Sequence, residues 1–447
     1  MKSKTLGYFG LILIHVFIGL VIFAVPFMAK VYNISIVIIG LLYLVKNKNK
    51  NNEAIIVSAY LVSAEVLLRM NEGNILSEFV KYAVMLFMFL GMFYRGFSKN
   101  AAPIWIYLLL LVPGIIMSTF TLDIGTNVRK AIIFNIIGPI CLAVCSIYCY
   151  QRKMTQSQMD NVLLAMGFPI ITTITYMYLY TPSVKEVVTG TSSNFETSGG
   201  YGPNQVSTIL GLGIFLFFVR TIFYSRNKFL LLINALFLCI VTFRGIVTFS
   251  RGGVLTGGIM ILLLIIKLSM VSTARGKSKL LLITGFAAVA FIGVWAYSSY
   301  QTSGLIDKRY ANEDQRGRQK ASKFSGREVL IETELQMFLE NPILGIGVGK
   351  NREYREELTG INAASHNEIT RMLAEHGTLG IFALLILLLT PTILSSINKQ
   401  HLYLFPFVAF WLLTINHAAM RLAAPAFIYA LSLLKIESFE KPALHRK

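Results

Sequence analysis

Charge is scarce in this 447-residue sequence: 14% of residues are charged and 55% hydrophobic, with Asp+Glu 22 against Lys+Arg 41. Soluble domains carry nearer a quarter charged residues, so a water-soluble enzyme, a disordered chain and a nucleic-acid binder are poor fits. Aspartate is rarer still. Only Asp123, Asp160, Asp307 and Asp314 occur, with no Asp-x-Asp pair, so the sequence asks for no metal and no other cofactor. Cysteine is limited to Cys141, Cys145, Cys149 and Cys239, none in a long polar segment, which excludes a disulfide framework. The first three recur every four residues on one helix face. With no histidine or carboxylate beside them, they read as small apolar contact residues and not as metal ligands. No repeat of 20 to 50 residues is present, and the one low-complexity stretch is 46–52.

Long apolar runs are abundant, and the mean hydropathy is +0.63. A bilayer core of about 30 Å needs roughly 20 apolar residues per helix. On that criterion up to 14 segments stand out, centred near Ile18, Val37, Leu61, Leu86, Leu110, Ile137, Ile170, Phe215, Leu236, Met260, Ala288, Leu385, Phe410 and Tyr429. The second and the last two are short or poorly separated, so the expected fold is an all-α polytopic membrane protein of about 12 to 14 spans. The first segment follows Lys2 and Lys4 like a signal peptide but is too long, and reads as a span.

The net charge of +19 orients these spans. With the N-terminus cytoplasmic, one face collects 18 cations, including Lys46, Lys48, Lys50, Arg95, Lys99, Arg152, Lys153, Arg226, Lys228, Lys441, Arg446 and Lys447. Short loops of the other face hold six, so the positive-inside rule selects cytoplasmic termini. Two loops then lie outside, 181–205 and 299–365. The longer one has ten charges of each sign and adds nothing to the excess.

The stretch 190–204 is rich in Gly and Ser, as expected of a plain flexible connector or of a mobile segment that could close over a ligand. Within and beside it, Tyr201 could stack on a sugar, and Asn204 or Gln205 could hydrogen-bond one. In the longer loop Ser325 and Glu328 form a capping-box pattern. Ile331, Leu335, Phe338 and Leu339 then recur at helical spacing until Asn341-Pro342, predicting an amphipathic helix on the outer membrane surface. The turn Gly345-Ile346-Gly347-Val348-Gly349 follows, without G-x-G-x-x-G spacing.

Two elements carry chemistry. Ser250-Arg251-Gly252-Gly253 opens a span, where an N-capping serine, free helix N–H groups and a guanidinium make an anion site. Gly253 and Gly257 at GxxxG spacing allow close helix packing. The second element is His366-Asn367-Glu368, followed by Gly377 and Gly380. Eleven residues make about three turns, which predicts His366 and Gly377 on one face of a continuous helix, with the imidazole at the outer mouth of a packed bundle. Imidazole suits proton transfer near neutral pH. Glu65 and Arg69, four apart, read as a structural ion pair. Arg244 is a possible further phosphate ligand, and His417 and Arg421 are possible phosphate or sugar contacts.

Arg251-x3-Leu255, Ser325-Gly326-Arg327, the Asn341-to-Gly347 turn and His366-Asn367-x9-Gly377-x2-Gly380 together resemble the bacterial O-antigen ligase and polysaccharide polymerase superfamily. The motifs span roughly 199–384. One departure is Ile381-Phe382, where the ligase pattern often has hydroxyl residues. The resemblance implies a GT-C-like, metal-independent membrane glycosyltransferase. Its donor would be an undecaprenyl-diphosphate-linked glycan and its acceptor a hydroxyl of lipid A-core or of a growing polysaccharide. It would sit in the bacterial cytoplasmic membrane with its site on the periplasmic side. His366 is then the base; Arg251, Arg327 and Arg244 hold the diphosphate; and Asn204, Gln205, Asn367, Glu368, His417 and Arg421 are accessory contacts. The implied organisation is 1–180 N-terminal spans, 181–395 catalytic core and 396–447 C-terminal spans and tail. Ligation ranks ahead of polymerisation. A polysaccharide or lipid transporter would share the many spans and buried charges, but would predict paired, interrupted helices in two related halves.

Overall fold

A computed structural model describes residues 2–225, 227–320, 322 and 327–437, with side chains from residue 7 onward. The readings on Lys2, Lys4, Arg226, Ser325, Gly326, Lys441, Arg446 and Lys447 lie outside what is described. Helices α1 (Lys2–Ala24), α2 (Met28–Asn47), α3 (Glu53–Met70), α4 (Phe79–Arg95), α5 (Ala102–Thr121) and α6 (Val128–Cys149) lead to a short strand, β1 (Lys153–Thr155). Next come α7 (Gln156–Tyr180), the single turn α8 (Val184–Val187), α9 (Pro203–Phe223), α10 (Lys228–Val247), α11 (Arg251–Val271) and α12 (Ala274–Gln301). Three short helices, α13 (Leu305–Tyr310), α14 (Glu328–Glu340) and α15 (Lys350–Thr359), build the long loop. The chain ends in α16 (Glu368–Ile397), α17 (Leu404–His417), α18 (Ala424–Leu431) and β2 (Lys435–Glu437), which pairs in parallel with β1.

All fourteen segment centres fall inside helices, and the protein is an all-α polytopic membrane protein. Among the described residues ten helices are long and apolar enough to cross a bilayer. The other four centres lie in α3, α4, α17 and α18. α3 is 18 residues long and carries Glu53, Glu65 and Arg69, all turned toward protein. In α9, 83% of the apolar stretch is buried, against 6% in α12. α9 is therefore the central helix, while α12 shows most of its surface to lipid.

The eight residues of α18 cover about 12 Å as a helix, too little to span alone. Yet Arg421 hydrogen-bonds Ser365 at one end of the bundle, and Lys435 pairs with Lys153 at the other, where α3 and α7 begin. The chain crosses as a helix flanked by non-helical backbone. Leu422 to Leu434 are all buried, which is the condition under which irregular backbone is tolerated at membrane depth.

α16 is 30 residues long, about 45 Å if straight, and it is not straight. Gly377 has φ 59° and ψ −139°, so the expected continuous helix from His366 to Gly377 is corrected to two helical pieces, 368–376 and 378–397. At the break, the Ala374 and Glu375 carbonyls accept from Ile346 N (2.9 Å) and Gly347 N (3.2 Å), while Thr378 N donates to the Pro342 carbonyl (2.7 Å). The glycine-rich turn is the piece that satisfies the broken helix. Gly345 and Gly347 adopt φ 71° and 94° there, in the left-handed region that favours glycine. A Cβ on Gly345 would meet the backbone of Glu375 and His376.

The amphipathic helix is present as α14, but its buried face is Leu330, Thr333, Glu334 and Met337, packed on α16 and α15. Of the predicted stripe, Leu335 and Leu339 are exposed. They share the exposed side of α14 with Glu332, Gln336 and Glu340. Of the capping-box pair, Glu328 accepts from Ser322 Oγ (2.9 Å).

Candidate active site

The approach to α11 sets one wall. Phe249, fully buried, takes a left-handed backbone (φ 58°), a costly conformation for an aromatic. It turns the chain into the helix and aims its carbonyl at Arg309 Nε (2.9 Å). Ser250 stands at the N-cap, but its hydroxyl donates to Asn204 Oδ1 (2.8 Å) and makes no cap bond. The expected serine cap is corrected, and among the described residues the first N–H groups of α11 have no side-chain partner. Gly253 and Gly257 do allow close packing: a Cβ on either would collide with the Ser207 or Gly211 carbonyl of α9. Gly252 leaves room in the same way for the His417 ring.

Around this helix start three guanidinium groups line one cavity of about 480 Å³, together with His366 and Asn367. Arg251 Nη1 reaches the Arg309 carbonyl (3.5 Å), and Arg327, at the start of α14, donates to the His417 carbonyl (3.2 Å). Arg309, 7% exposed, also contacts Ser193 Oγ. Among the described residues, none of the three pairs with a carboxylate. Burial lowers the Arg309 pKa, and the neighbouring Arg251 and Arg327 charges lower it further. Burial and then Arg421 do the same to Arg327. Glu334, which also lines the cavity, is taken by Arg355; like charges held together in a half-buried space and unpaired among the described residues are unfavourable, and an anion would relieve them.

His366 is held by the segment leading into α16. Ser365 Oγ accepts from Asn367 N (3.2 Å), and Asn367 Oδ1 caps the helix through Ile369 N (2.9 Å). The imidazole itself makes no hydrogen bond among the described residues. Its pKa is pushed down to about 4, first by burial and then by the positive fields of Arg421, Arg327 and Arg355. It is therefore an uncharged base at neutral pH, with a free ring in the cavity.

Beneath it lies a network of charges that are all paired. Glu334 takes Arg355 (2.6 Å) and the Thr370 hydroxyl; Arg371 grips Glu368 and Glu375; and Glu375 accepts from Gly349 N (2.9 Å). These side chains are almost fully buried and join α14, α15, the glycine turn and the first piece of α16 into one unit.

The predicted residues thus divide between places. His366, Arg251, Arg327, Asn204, Asn367 and His417 share the first cavity, although both nitrogens of His417 are already engaged, with Leu413 O (2.9 Å) and Thr208 Oγ1 (3.1 Å). Gln205, Glu368 and Arg421 line a second cavity of about 180 Å³ with Tyr201, Arg69 and Arg371. Ser365 borders both. Arg244 reaches neither: it is buried under the Tyr178 ring (3.8 Å) and donates to the Thr181 carbonyl (3.0 Å). The 190–204 segment is tied down, with Thr197 and Ser198 buried, Asn194 N bonded to the Thr248 carbonyl (3.0 Å) and the Thr197 hydroxyl to Val247 O. It is a packed wall of both cavities. Arg309 and Glu334 were not singled out from sequence. Each lies among many charges of the long loop, and nothing local distinguishes a buried one. Among the described residues no three His, Cys, Asp or Glu side chains cluster as metal ligands.

Residues 235–385, about a third of the chain, match the family model described as O-antigen ligase. Over that stretch the chain is similar to the O-antigen ligase family. The matched stretch runs from α10 into α16 and holds Arg251, Arg309, Arg327 and His366. Asn204, Gln205, His417 and Arg421 come from outside it, so helices beyond the matched stretch complete both cavities. Comparison with curated proteins finds no match.

Proposed function

We propose that this protein, a membrane glycosyltransferase of the ligase and polymerase type, transfers a saccharide from a polyprenyl (undecaprenyl) diphosphate to a hydroxyl acceptor. Transfer would occur on the periplasmic side of the cytoplasmic membrane and without a metal ion. The observation that carries this reading is the union, in one cavity, of three arginines and a helix N-terminus that have no carboxylate or side-chain cap among the described residues, and an uncharged imidazole. The acceptor oxygen attacks the anomeric carbon, and its proton passes to His366. The bond from that carbon to the diphosphate oxygen breaks, and the electron pair leaves with the diphosphate. Arg251, Arg309 and Arg327 stabilise the charge that develops, guanidinium forks matching phosphate oxygens in two-point contact. Leu255, Leu330 and Ile331 supply an apolar side to the same cavity, which favours a lipid-linked diphosphate over a soluble nucleotide.

O-antigen ligation is the preferred variant, and polymerisation is the second. The test expresses His366→Ala and Arg251→Ala in a strain lacking the native gene and quantifies lipid-linked and surface glycan. Unchanged surface glycan at normal protein level would remove the assignment. Loss of a ligase strands long chains on the lipid carrier, whereas loss of a polymerase leaves single repeat units on the final acceptor.

A further inference from the structure

We infer that the second cavity is the subsite for the acceptor sugar, an uncharged polyhydroxyl ring, with Tyr201 and Gln205 as its principal contacts. This inference rests on the proposed glycosyl transfer. The two cavities meet at Ser365, whose backbone carbonyl is held from the second one by Arg421 Nη2 (3.1 Å). A ring lodged there lies one residue from His366, so a hydroxyl passing Ser365 can reach the imidazole and the anomeric carbon in the first cavity.

The electrostatics of the two spaces separate their ligands. In the first, Arg251, Arg309 and Arg327 pair with no carboxylate among the described residues, and the lining carboxylate Glu334 is engaged by Arg355 and Thr370. In the second, Arg69 is paired with Glu65 (2.9 Å) and Glu78 (3.4 Å), Lys81 with Glu78 (2.7 Å), and Arg371 with Glu368 and Glu375. A diphosphate entering the second cavity would meet Arg69, Lys81 and Arg371 already neutralised, the carboxylates that neutralise them, and Arg421, whose guanidinium is engaged by the Ser365 carbonyl. A neutral diol would meet a ring of fixed donors and acceptors at no Coulombic cost.

Hydrogen-bonding capacity remains for such a ligand. Among the described residues the Gln205 amide and the Tyr201 hydroxyl make no hydrogen bond, though both line the space. Tyr201 lies within the pinned 190–204 segment and Gln205 directly follows it, so both are presented by backbone held at Thr197 and Asn194. At about 180 Å³ the cavity is smaller than the roughly 300–1,000 Å³ of ordinary small-molecule sites. It suits one terminal residue of an oligosaccharide whose remainder projects outward past Phe134, which is half exposed.

The test uses the full chain in lipid nanodiscs, with two probes measured separately: undecaprenyl diphosphate, and the oligosaccharide released by mild acid from the host's own surface glycan. Gln205→Leu and Tyr201→Ala should each weaken oligosaccharide binding about tenfold and leave undecaprenyl diphosphate binding unchanged. Arg251→Gln should do the reverse. Tyr201→Phe, which keeps the ring, guards against a folding artefact and should retain binding better than Tyr201→Ala. If the oligosaccharide fails to bind the wild type, or if Gln205→Leu weakens the diphosphate instead, the acceptor assignment is overturned. The glycan phenotype of His366→Ala judges the transferase reading independently.

Discussion

Two clusters of arginines lie on either side of His366 and are built on opposite principles. Arg355 and Arg371 are nearly fully buried and each is matched to carboxylates. Arg251, Arg309 and Arg327 line an open cavity and, among the described residues, hydrogen-bond only neutral oxygens, including the carbonyls of Arg309, Phe249 and His417. The first cluster resembles a fastening, because each charge is satisfied inside the protein. The second has no carboxylate partners among the described residues and is mutually repulsive, and on the proposed reading it is completed by the donor's diphosphate. A cation count alone makes no such distinction.

The contrast can be broken in several ways. His366→Ala should give the largest functional change, a fall in glycan transfer of about 10²–10⁴-fold, the usual contribution of a general base. It would be measured as lipid-linked against surface glycan at equal protein level. Arg251→Gln should lower transfer by about 10²–10³-fold, the cost of losing one preorganised charge-stabilising donor, while leaving thermal stability unchanged or raised. Arg371→Met should behave oppositely. It strands Glu368 and Glu375 without their cation, a loss of about 3–5 kcal/mol, seen as a lowered melting temperature in detergent. If Arg251→Gln destabilises as much as Arg371→Met, the distinction between fastening and binding arginines fails.

The pH response sharpens the same comparison. The His366 pKa lies near 4 because burial and three cations oppose its charge. Only the unprotonated ring can take a proton, so kcat/KM should stay level from neutral pH downward and fall as pH drops through about 4. Arg421→Gln removes one of those fields and should move the descending limb upward toward the ordinary histidine value. A wild-type limb already centred near 6.5 would contradict the account. A smaller effect is expected of Gly377→Ala. It places a side chain at φ 59° against the Pro342 and Ile343 carbonyls, costing about 1–3 kcal/mol and tilting the piece that carries His366. Stability and transfer should decline together.

Much of the fold was legible because apolar runs of span length have few alternatives in a bilayer. Every segment centre from Ile18 to Tyr429 lies in a helix. Gly253 and Gly257 were legible too, since small residues four apart signal close packing whatever the partner. The reading failed where one residue type serves two geometries. Gly377 looked like a packing position on a continuous helix and is a break, because the carbonyls it frees are satisfied by a turn some thirty residues earlier in the chain. Ser250 looked like a cap, yet its hydroxyl turns to Asn204, a neighbour from a different loop.

The sequence by itself determined the membrane class, the basic and the loop-bearing ends, and the residue types that could move a proton or hold a phosphate. These follow from local composition and periodicity. The tertiary structure decided which arginines are available. Arg244 and Arg251, seven positions apart, differ only in what surrounds them: one is buried beneath Tyr178 near the Thr181 carbonyl, and the other faces a cavity shared with His366. Whether a charge is neutralised or left to bind is settled by partners distant in sequence. That is why Arg309 and Glu334 emerged only when the helices were brought together.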